Sequence, residues 1–253
     1  MMSSFSAAHR ILILGASSDI GSDLARKFHS EGVSVGLISR PSPRFDRICS
    51  ETGYPAVRIE SVDHTEITRA VDTLADRMGP ITGGVNLLGT LLLKPAHLTT
   101  VEEWRETIAV NLDSNFSFLK SVLQRSDGSN DFSMVFVSSA AAATGLPNHE
   151  AIAASKSGVE GLARSAAATY ASRGYRFNVV APGLVDTQLT ASLTRNEMAR
   201  SASEAMHPLK KLGSPGEIAR VIKWLLSKES GWITGQVIGV DGGLSTVRTR
   251  SKV

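Results

Sequence analysis

Short apolar runs recur along this chain, and segments with apolar residues at helical spacing separate them. Ile11-Leu12-Ile13-Leu14 is the first run, followed by a Gly/Ser turn and a helical stretch through Phe28. Residues 33–38 form the second run and residues 57–59 a short third. Ile67, Val71 and Leu74 recur at helical spacing before the fourth run, residues 85–88. Residues 134–137, 177–180 and 237–240 complete the series. Runs that are largely apolar, without regular polar alternation, predict strands buried on both faces, and the intervening helices predict a parallel sheet covered on both sides. The pattern therefore predicts an α/β fold, a single doubly wound domain of about seven parallel strands. No tandem repeat, low-complexity tract or linker divides residues 1–253. Residues 183–213 form the longest irregular stretch; they contain helix-like pieces and are expected to cap a pocket as a substrate-loop segment.

A chain of 253 residues suits one such domain and can bury a sizeable core. With 42% hydrophobic and 20% charged residues, the composition argues against disorder. No apolar run approaches the length of a membrane span, and the N-terminal residues lack a signal-peptide layout, so no membrane association is expected. The net charge of +3 is too small and too scattered to suggest nucleic acid. Cys49 is the only cysteine, which points to a reducing, cytoplasmic setting, and no metal site is expected. Two basic clusters stand out: Arg40, Arg44 and Arg47, and a basic tail over residues 246–253 with Arg248, Arg250 and Lys252. The tail reads as a solvated end.

Candidate chemistry begins after the first run. Gly15-Ala16-Ser17-Ser18-Asp19-Ile20-Gly21 joins that run to a helix. Small residues there let a dinucleotide pyrophosphate approach the backbone, and free N–H groups at the helix start attract negative charge. An ordinary strand-to-helix turn would look similar, so the motif alone is weak. The second run ends in Ser39-Arg40, with Arg44 and Arg47 close behind and no acid. A basic residue at this position can pair with the 2′-phosphate of NADP, whereas an acid would bind the ribose hydroxyl of NAD. NADP(H) is thereby favoured over NAD(H); otherwise these arginines are solvated charges that add little to stability.

These residues, with others further along, resemble the short-chain dehydrogenase/reductase family over roughly residues 10–245. Gly15 and Gly21 match the first and last glycines of the family's Thr-Gly-x-x-x-Gly-x-Gly turn, with Ser17, Ser18 and Ile20 between them. Leu14 stands for the threonine and Asp19 for the middle glycine. Asp63 matches the adenine-contacting aspartate, and Asn86-Leu87-Leu88-Gly89 resembles the family's Asn-Asn-Ala-Gly. Pro182-Gly183 matches the Pro-Gly motif, and Thr187 falls where the nicotinamide carboxamide is often held. Thr234-Gly235-Gln236 and Val240-Asp241-Gly242-Gly243 resemble the C-terminal strand and turn. The resemblance implies a Rossmann-type domain, a nicotinamide cofactor on these residues and a small carbonyl or alcohol substrate. It also implies a homodimer or homotetramer formed through the helices after the fourth and fifth strands.

In that family a serine orients the substrate carbonyl, a tyrosine protonates it, a lysine lowers the tyrosine's pKa and holds the nicotinamide ribose, and an asparagine anchors a relay water. Ser139, Lys156 and Asn111 match the serine, lysine and asparagine. Ile152 stands at the tyrosine position, four residues before Lys156. Isoleucine has no ionisable proton. Tyr54, Tyr170 and Tyr175 fall in segments expected to be remote. His149 precedes Ile152 by three residues; at about 100° per residue it would share a helical face with positions 152 and 156. Its imidazole titrates near neutrality and is a candidate proton donor; otherwise it is a first-turn residue touching substrate or solvent only. Glu150 reads as a favourable first-turn carboxylate. Lys94, Pro95, His97 and Trp104 on one side, and Met198, Met206 and His207 on the other, are expected at the pocket rim, with Trp104 mainly packing. The residues leave three possibilities open: an NADP-dependent oxidoreductase of atypical mechanism, an NADP-binding pseudoenzyme with a structural or regulatory role, and non-redox chemistry on the same fold.

Overall fold

The computed structural model describes residue 5, residues 9–128 and residues 131–248. Arg250 and Lys252 of the basic tail lie outside the described residues. Seven strands form one parallel sheet: β1 Arg10–Leu14, β2 Ser34–Ser39, β3 Ala56–Arg58, β4 Gly83–Asn86, β5 Ser133–Val137, β6 Arg176–Pro182 and β7 Val237–Val240. Their order is β3-β2-β1-β4-β5-β6-β7. The chain grows outward from β1 to β3, then crosses back to β4 on the other side of β1. That reversal opens a crevice at the carboxyl ends of β1 and β4, where doubly wound sheets bind ligands.

The period of two along each strand sorts side chains between two cores. Leu12 and Leu14 of β1 join one core, while Ile11 and Ile13 join the other. The first core lies under α3 His64–Met78, α5 Ser114–Gln124 and α6 Glu150–Tyr170, with Phe118, Val159 and Phe177 fully buried. The second lies under α1 Asp19–Ser30, α2 Pro43–Thr52 and α9 Pro215–Leu226, with Phe28, Phe45 and Ile222 fully buried. Burying each such side chain contributes about 1.5–3 kcal/mol. The helices start where their sequences provide caps. Ser42 caps α2 ahead of Pro43, and Ser214 forms a capping box with Glu217 ahead of α9.

The strands fall where the apolar runs predicted them, with one instructive shift. β4 begins at Gly83, two residues before its apolar run, because a glycine pair carries no apolar pattern to mark it. Residues 183–213 do contain helices, α7 Ala191–Thr194 and α8 Glu197–Met206. The segment leaves and returns at one place: Gly213 N donates to Leu184 O at 2.9 Å, and Asp186 N to Gly213 O at 3.0 Å. Among the described residues, no helix is long and apolar enough to cross a membrane, and no His/Cys/Asp/Glu group is arranged to hold a metal.

Candidate active site

The glycine turn sits at the carboxyl end of β1. Gly15 has φ +83°, a left-handed conformation that side chains resist, and a Cβ there would lie 3.0 Å from the Leu87 carbonyl carbon. A Cβ on Gly21 would lie 2.6 Å from Gly15 O, so the first turn of α1 can pack this closely only with glycine. Ser18 caps α1 by accepting from Gly21 N at 3.0 Å. Ser17 Oγ meets Ser39 Oγ at 2.6 Å, which ties the turn to the end of β2. Ile20 packs against the second core.

Asp19 takes an arrangement that its neighbours in sequence do not reveal. Its Oδ1 accepts from Arg44 Nη1 at 2.7 Å and its Oδ2 from the Gln188 backbone N–H at 2.8 Å. This refines the reading of the first basic cluster: in the free protein Arg44 is paired with Asp19. Arg40 is exposed at the end of β2 and has no partner among the described residues. Asp63 is exposed and caps α3, with Oδ1 accepting from Glu66 N at 2.9 Å and Oδ2 from the Ser61 hydroxyl. The Ser61 bond, then the Glu66 N–H, hold its carboxyl below the ordinary range.

Buried hydrogen bonds shape the loop after β4. Asn86 Nδ2 donates to Ser114 Oγ at 2.9 Å, and its Oδ1 accepts from Leu88 N at 2.9 Å. Thr90 N donates to Asn111 Oδ1 at 3.0 Å. Asn111 lies in one turn of π-helix, Ala109–Asp113, between α4 Val101–Ile108 and α5. Such turns interrupt the helical hydrogen-bond ladder and recur at functional sites. Here the Asn111 carbonyl accepts from Asn115 Nδ2 at 2.8 Å. A Cβ on Gly89 would lie 3.4 Å from Asn111 Oδ1 and 3.9 Å from Lys156 Nζ, so these three residues meet.

Lys156 is buried on α6 and donates to Val137 O, at the end of β5, at 3.0 Å. It has no carboxylate partner among the described residues, and burial lowers its pKa to about 8. Ser139 follows Val137 by two residues and accepts from Ala141 N at 3.2 Å, keeping its own hydroxyl hydrogen to donate. Ser138, by contrast, is buried and donates to Glu160 Oε1 at 2.8 Å and Lys156 O at 3.3 Å. Ser139 is thus the serine with a hydroxyl to offer. Ile152, four residues before Lys156 on α6, is an aliphatic side chain set into the protein, 4% exposed.

His149 stands at the very start of α6, where its carbonyl accepts from Ala153 N at 2.7 Å. It precedes the helix as its N-cap, with φ −109° and ψ 14°, after Asn148 in a left-handed conformation. Its Nδ1 donates to Pro147 O at 2.7 Å, which turns the ring toward the preceding loop and leaves Nε2 as the free nitrogen. The other tyrosines are remote, as expected. Tyr54 donates to Val33 O ahead of β2, and Tyr175 meets Ser126 ahead of β5, both at the amino ends of strands.

The expected rim is also revised. His207 is buried: Nδ1 donates to Ser203 O at 2.7 Å and Nε2 accepts from Leu184 N at 3.1 Å, so it ties α8 to the end of β6. A Cβ on Gly183 would come within 2.6 Å of that Nε2, which explains the glycine after Pro182. Thr187 pairs its hydroxyl with Thr190 Oγ1 at 3.1 Å. Lys94 is bound by both carboxylate oxygens of Glu103, at 2.9 and 2.8 Å. Trp104 keeps 41% of its surface exposed, against the expectation of packing, and Met198 and Met206 are exposed too. Sequence reading missed Asn115 and Glu160, although each lies four residues after a recognised position, the spacing of one helical turn. It also missed the Asp19–Gln188 bond, which no spacing signals.

The strand order and the glycine turn at its point of reversal define a doubly wound, dinucleotide-binding architecture. A family model described as enoyl-(acyl carrier protein) reductase matches residues 15–245. The 3-oxoacyl-(acyl-carrier-protein) reductase FabG of Thermotoga maritima is 36% identical over 92% of this chain and 96% of its own length. A Xanthobacter autotrophicus protein named inactive 2-(S)-hydroxypropyl-CoM dehydrogenase 2 is 31% identical over 88% of this chain and all of its own. The ligand-free structure of Thermoplasma acidophilum aldohexose dehydrogenase superposes with a TM-score of 0.87, at 29% identity and 97% coverage of both chains. The chain belongs to the short-chain dehydrogenase/reductase family.

Proposed function

We propose that this chain is an NADP(H)-dependent oxidoreductase that interconverts a small carbonyl compound and its alcohol without the family's tyrosine. The observation that carries this reading is Lys156. It is a buried cation with no carboxylate partner among the described residues, gathered with Gly89 and Asn111 beside the strand end that bears Ser139. A structural lysine would be expected to pair or to reach solvent; this one is held ready for an uncharged or anionic group. The residues also suit a dinucleotide: the tight Gly15–Gly21 turn opens α1, and Arg40 offers an unpaired guanidinium at the end of β2. Asp63, Asn86, Pro182, Gly183 and Thr187 would line the remainder of that cleft. The dinucleotide, when bound, donates or accepts the hydride.

The protein's part is positioning and proton handling. The Ser139 hydroxyl hydrogen polarises the carbonyl. Lys156, with its pKa near 8, is mostly an ammonium at neutral pH and places positive charge by the ribose and the developing alkoxide. Hydride addition leaves an oxygen that needs a proton. That proton comes from His149 in its imidazolium form, the only form in which Nε2 carries a hydrogen while Nδ1 donates to Pro147 O, or from a water held near Asn111. Losing a positioned general acid typically slows such reactions by about 10²–10⁴-fold, so turnover is slow unless one of these donors compensates. Residues 183–213 act as the substrate loop. Exposed Val101, Trp104 and Phe116 on α4 and α5 support assembly as a homodimer or homotetramer.

A second reading, an NADP-binding pseudoenzyme, is favoured by the buried Ile152 and by the relative that is itself named inactive. Both are tested by titrating NADPH and NADH and then assaying hydride transfer across a carbonyl panel. Turnover that falls in Ser139→Ala and Lys156→Ala supports the enzyme. Tight NADPH binding with no turnover supports the pseudoenzyme. No binding of either dinucleotide overturns both. A rate unchanged in His149→Ala removes His149 from the mechanism.

A further inference from the structure

Asp19 opens α1, directly above the glycine turn at the carboxyl end of β1. Its two carboxylate oxygens hold partners from distant parts of the chain, Arg44 in the first turn of α2 and the backbone N–H of Gln188 beyond β6. β6 lies three strands from β1 in the sheet. At about 4.8 Å between neighbouring strands, that is roughly 14 Å across the sheet. The chain leaving β6 must therefore cross the carboxyl edge of the sheet past β4 and β5 to reach Asp19. The carboxyl ends of those two strands carry Gly89, Ser139 and the Val137 carbonyl that holds Lys156. The Asp19–Gln188 bond thus closes the 183–213 segment across the crevice from its far side. Asp186, two residues earlier, is tied to Arg200 of α8 at 2.7 Å, so a pull at Gln188 is passed on to the helical part of the segment.

A carboxylate here also matters electrostatically. Arg44 offsets its charge, but a dinucleotide phosphate brought to the same turn would meet a fixed anion beside it. The two donors that Asp19 occupies, a guanidinium and a backbone N–H, are the kinds that bind phosphate oxygens. We propose that Asp19 is a latch that determines cofactor affinity: it holds the 183–213 segment against the glycine turn until a dinucleotide phosphate displaces its carboxylate from Gln188 and Arg44. The part concerning the dinucleotide rests on the function proposed above; the latch itself does not. Asp19 touches no reacting atom and sets only how readily the crevice opens and what its entry costs.

The test compares wild type with Asp19→Gly, which removes the carboxylate, and Asp19→Asn, which keeps an acceptor for Gln188 but loses the charge. Hydrogen exchange of residues 184–213 is measured without nucleotide, and NADPH affinity by fluorescence titration. In Asp19→Gly, amide exchange across the segment should quicken at least tenfold, and NADPH should bind at least tenfold more tightly. Asp19→Asn should fall between the two proteins in both measurements. Saturating NADPH should abolish the difference in exchange. Unchanged exchange in Asp19→Gly overturns the latch, and weaker NADPH binding overturns its role as a competitor of phosphate. Should none of the three proteins bind NADPH or NADH, the dinucleotide reading fails, and exchange in the free protein still decides for or against the latch.

Discussion

Replacing Lys156 by methionine isolates the cost of the buried charge. Methionine keeps much of the side-chain length and fills irregular space without a charge. Burial lowers the lysine pKa from 10.5 to about 8, which corresponds to about 3 kcal/mol against the folded state at pH 7. The sign follows from proton counting. Below pH 8 folded and unfolded chains both carry the proton, and the full cost is present. Between pH 8 and 10.5 the unfolded chain holds more protons, so wild-type stability rises with pH as the cost is relieved. By the same relation, roughly 2.5 kcal/mol of the cost disappears between pH 7 and pH 10. The substitution also strips Val137 O of its donor, which costs about 1–3 kcal/mol at either pH. The net change at pH 7 is therefore a modest gain or none, but the pH dependence of the difference is free of that offset. Urea unfolding of both proteins at pH 7 and pH 10 gives the two differences, and other titrating groups cancel between them. The advantage of Lys156→Met should be larger at pH 7 by about 2.5 kcal/mol. A change below about 0.5 kcal/mol would refute the reasoning, because Lys156 would then be hydrated in solution and no poised cation. NADPH-dependent turnover should fall in the same variant.

Two further outcomes follow from the site. Ile152→Tyr should raise carbonyl reduction by about 10²-fold or more if the surrounding groups are still arranged for hydride transfer, at a cost of about 1–3 kcal/mol for enlarging a buried side chain; steady-state NADPH oxidation and a urea melt measure the two effects. Arg40→Asp should weaken NADPH binding by about 10–100-fold, the worth of a hydrogen bond to a charged group, and leave NADH binding equal or improved; competitive titration of the two dinucleotides reads this directly.

The legibility of the fold and of the site had different sources. Strands and helices repeat every two or about 3.6 residues, and burial on both faces writes that repeat into the chain as apolar runs. So the parallel sheet and the position of the glycine turn were open to sequence alone. Ser139, Lys156 and Asn111 were picked out by their match to the family's motifs, and the fold brings Asn111 and Lys156 together beside Gly89. The direction of the His149 ring was not legible, because a helical wheel places the residue and does not fix its side chain. The left-handed Asn148 and the Pro147 carbonyl set it. His207 was taken for a rim residue because nothing local shows that Leu184 N would need an acceptor.

The amino-acid sequence by itself determined the α/β class, the family and the absence of a tyrosine at position 152, since each depends on residue identity or short-range periodicity. Only the tertiary structure decided what the charges do. Arg44 spends its guanidinium on Asp19, Asp19 reaches Gln188 across 169 residues, and Lys156 loses its solvent. Those outcomes depend on desolvation and on which distant segments fold into contact, and a linear pattern of apolar and polar residues contains neither.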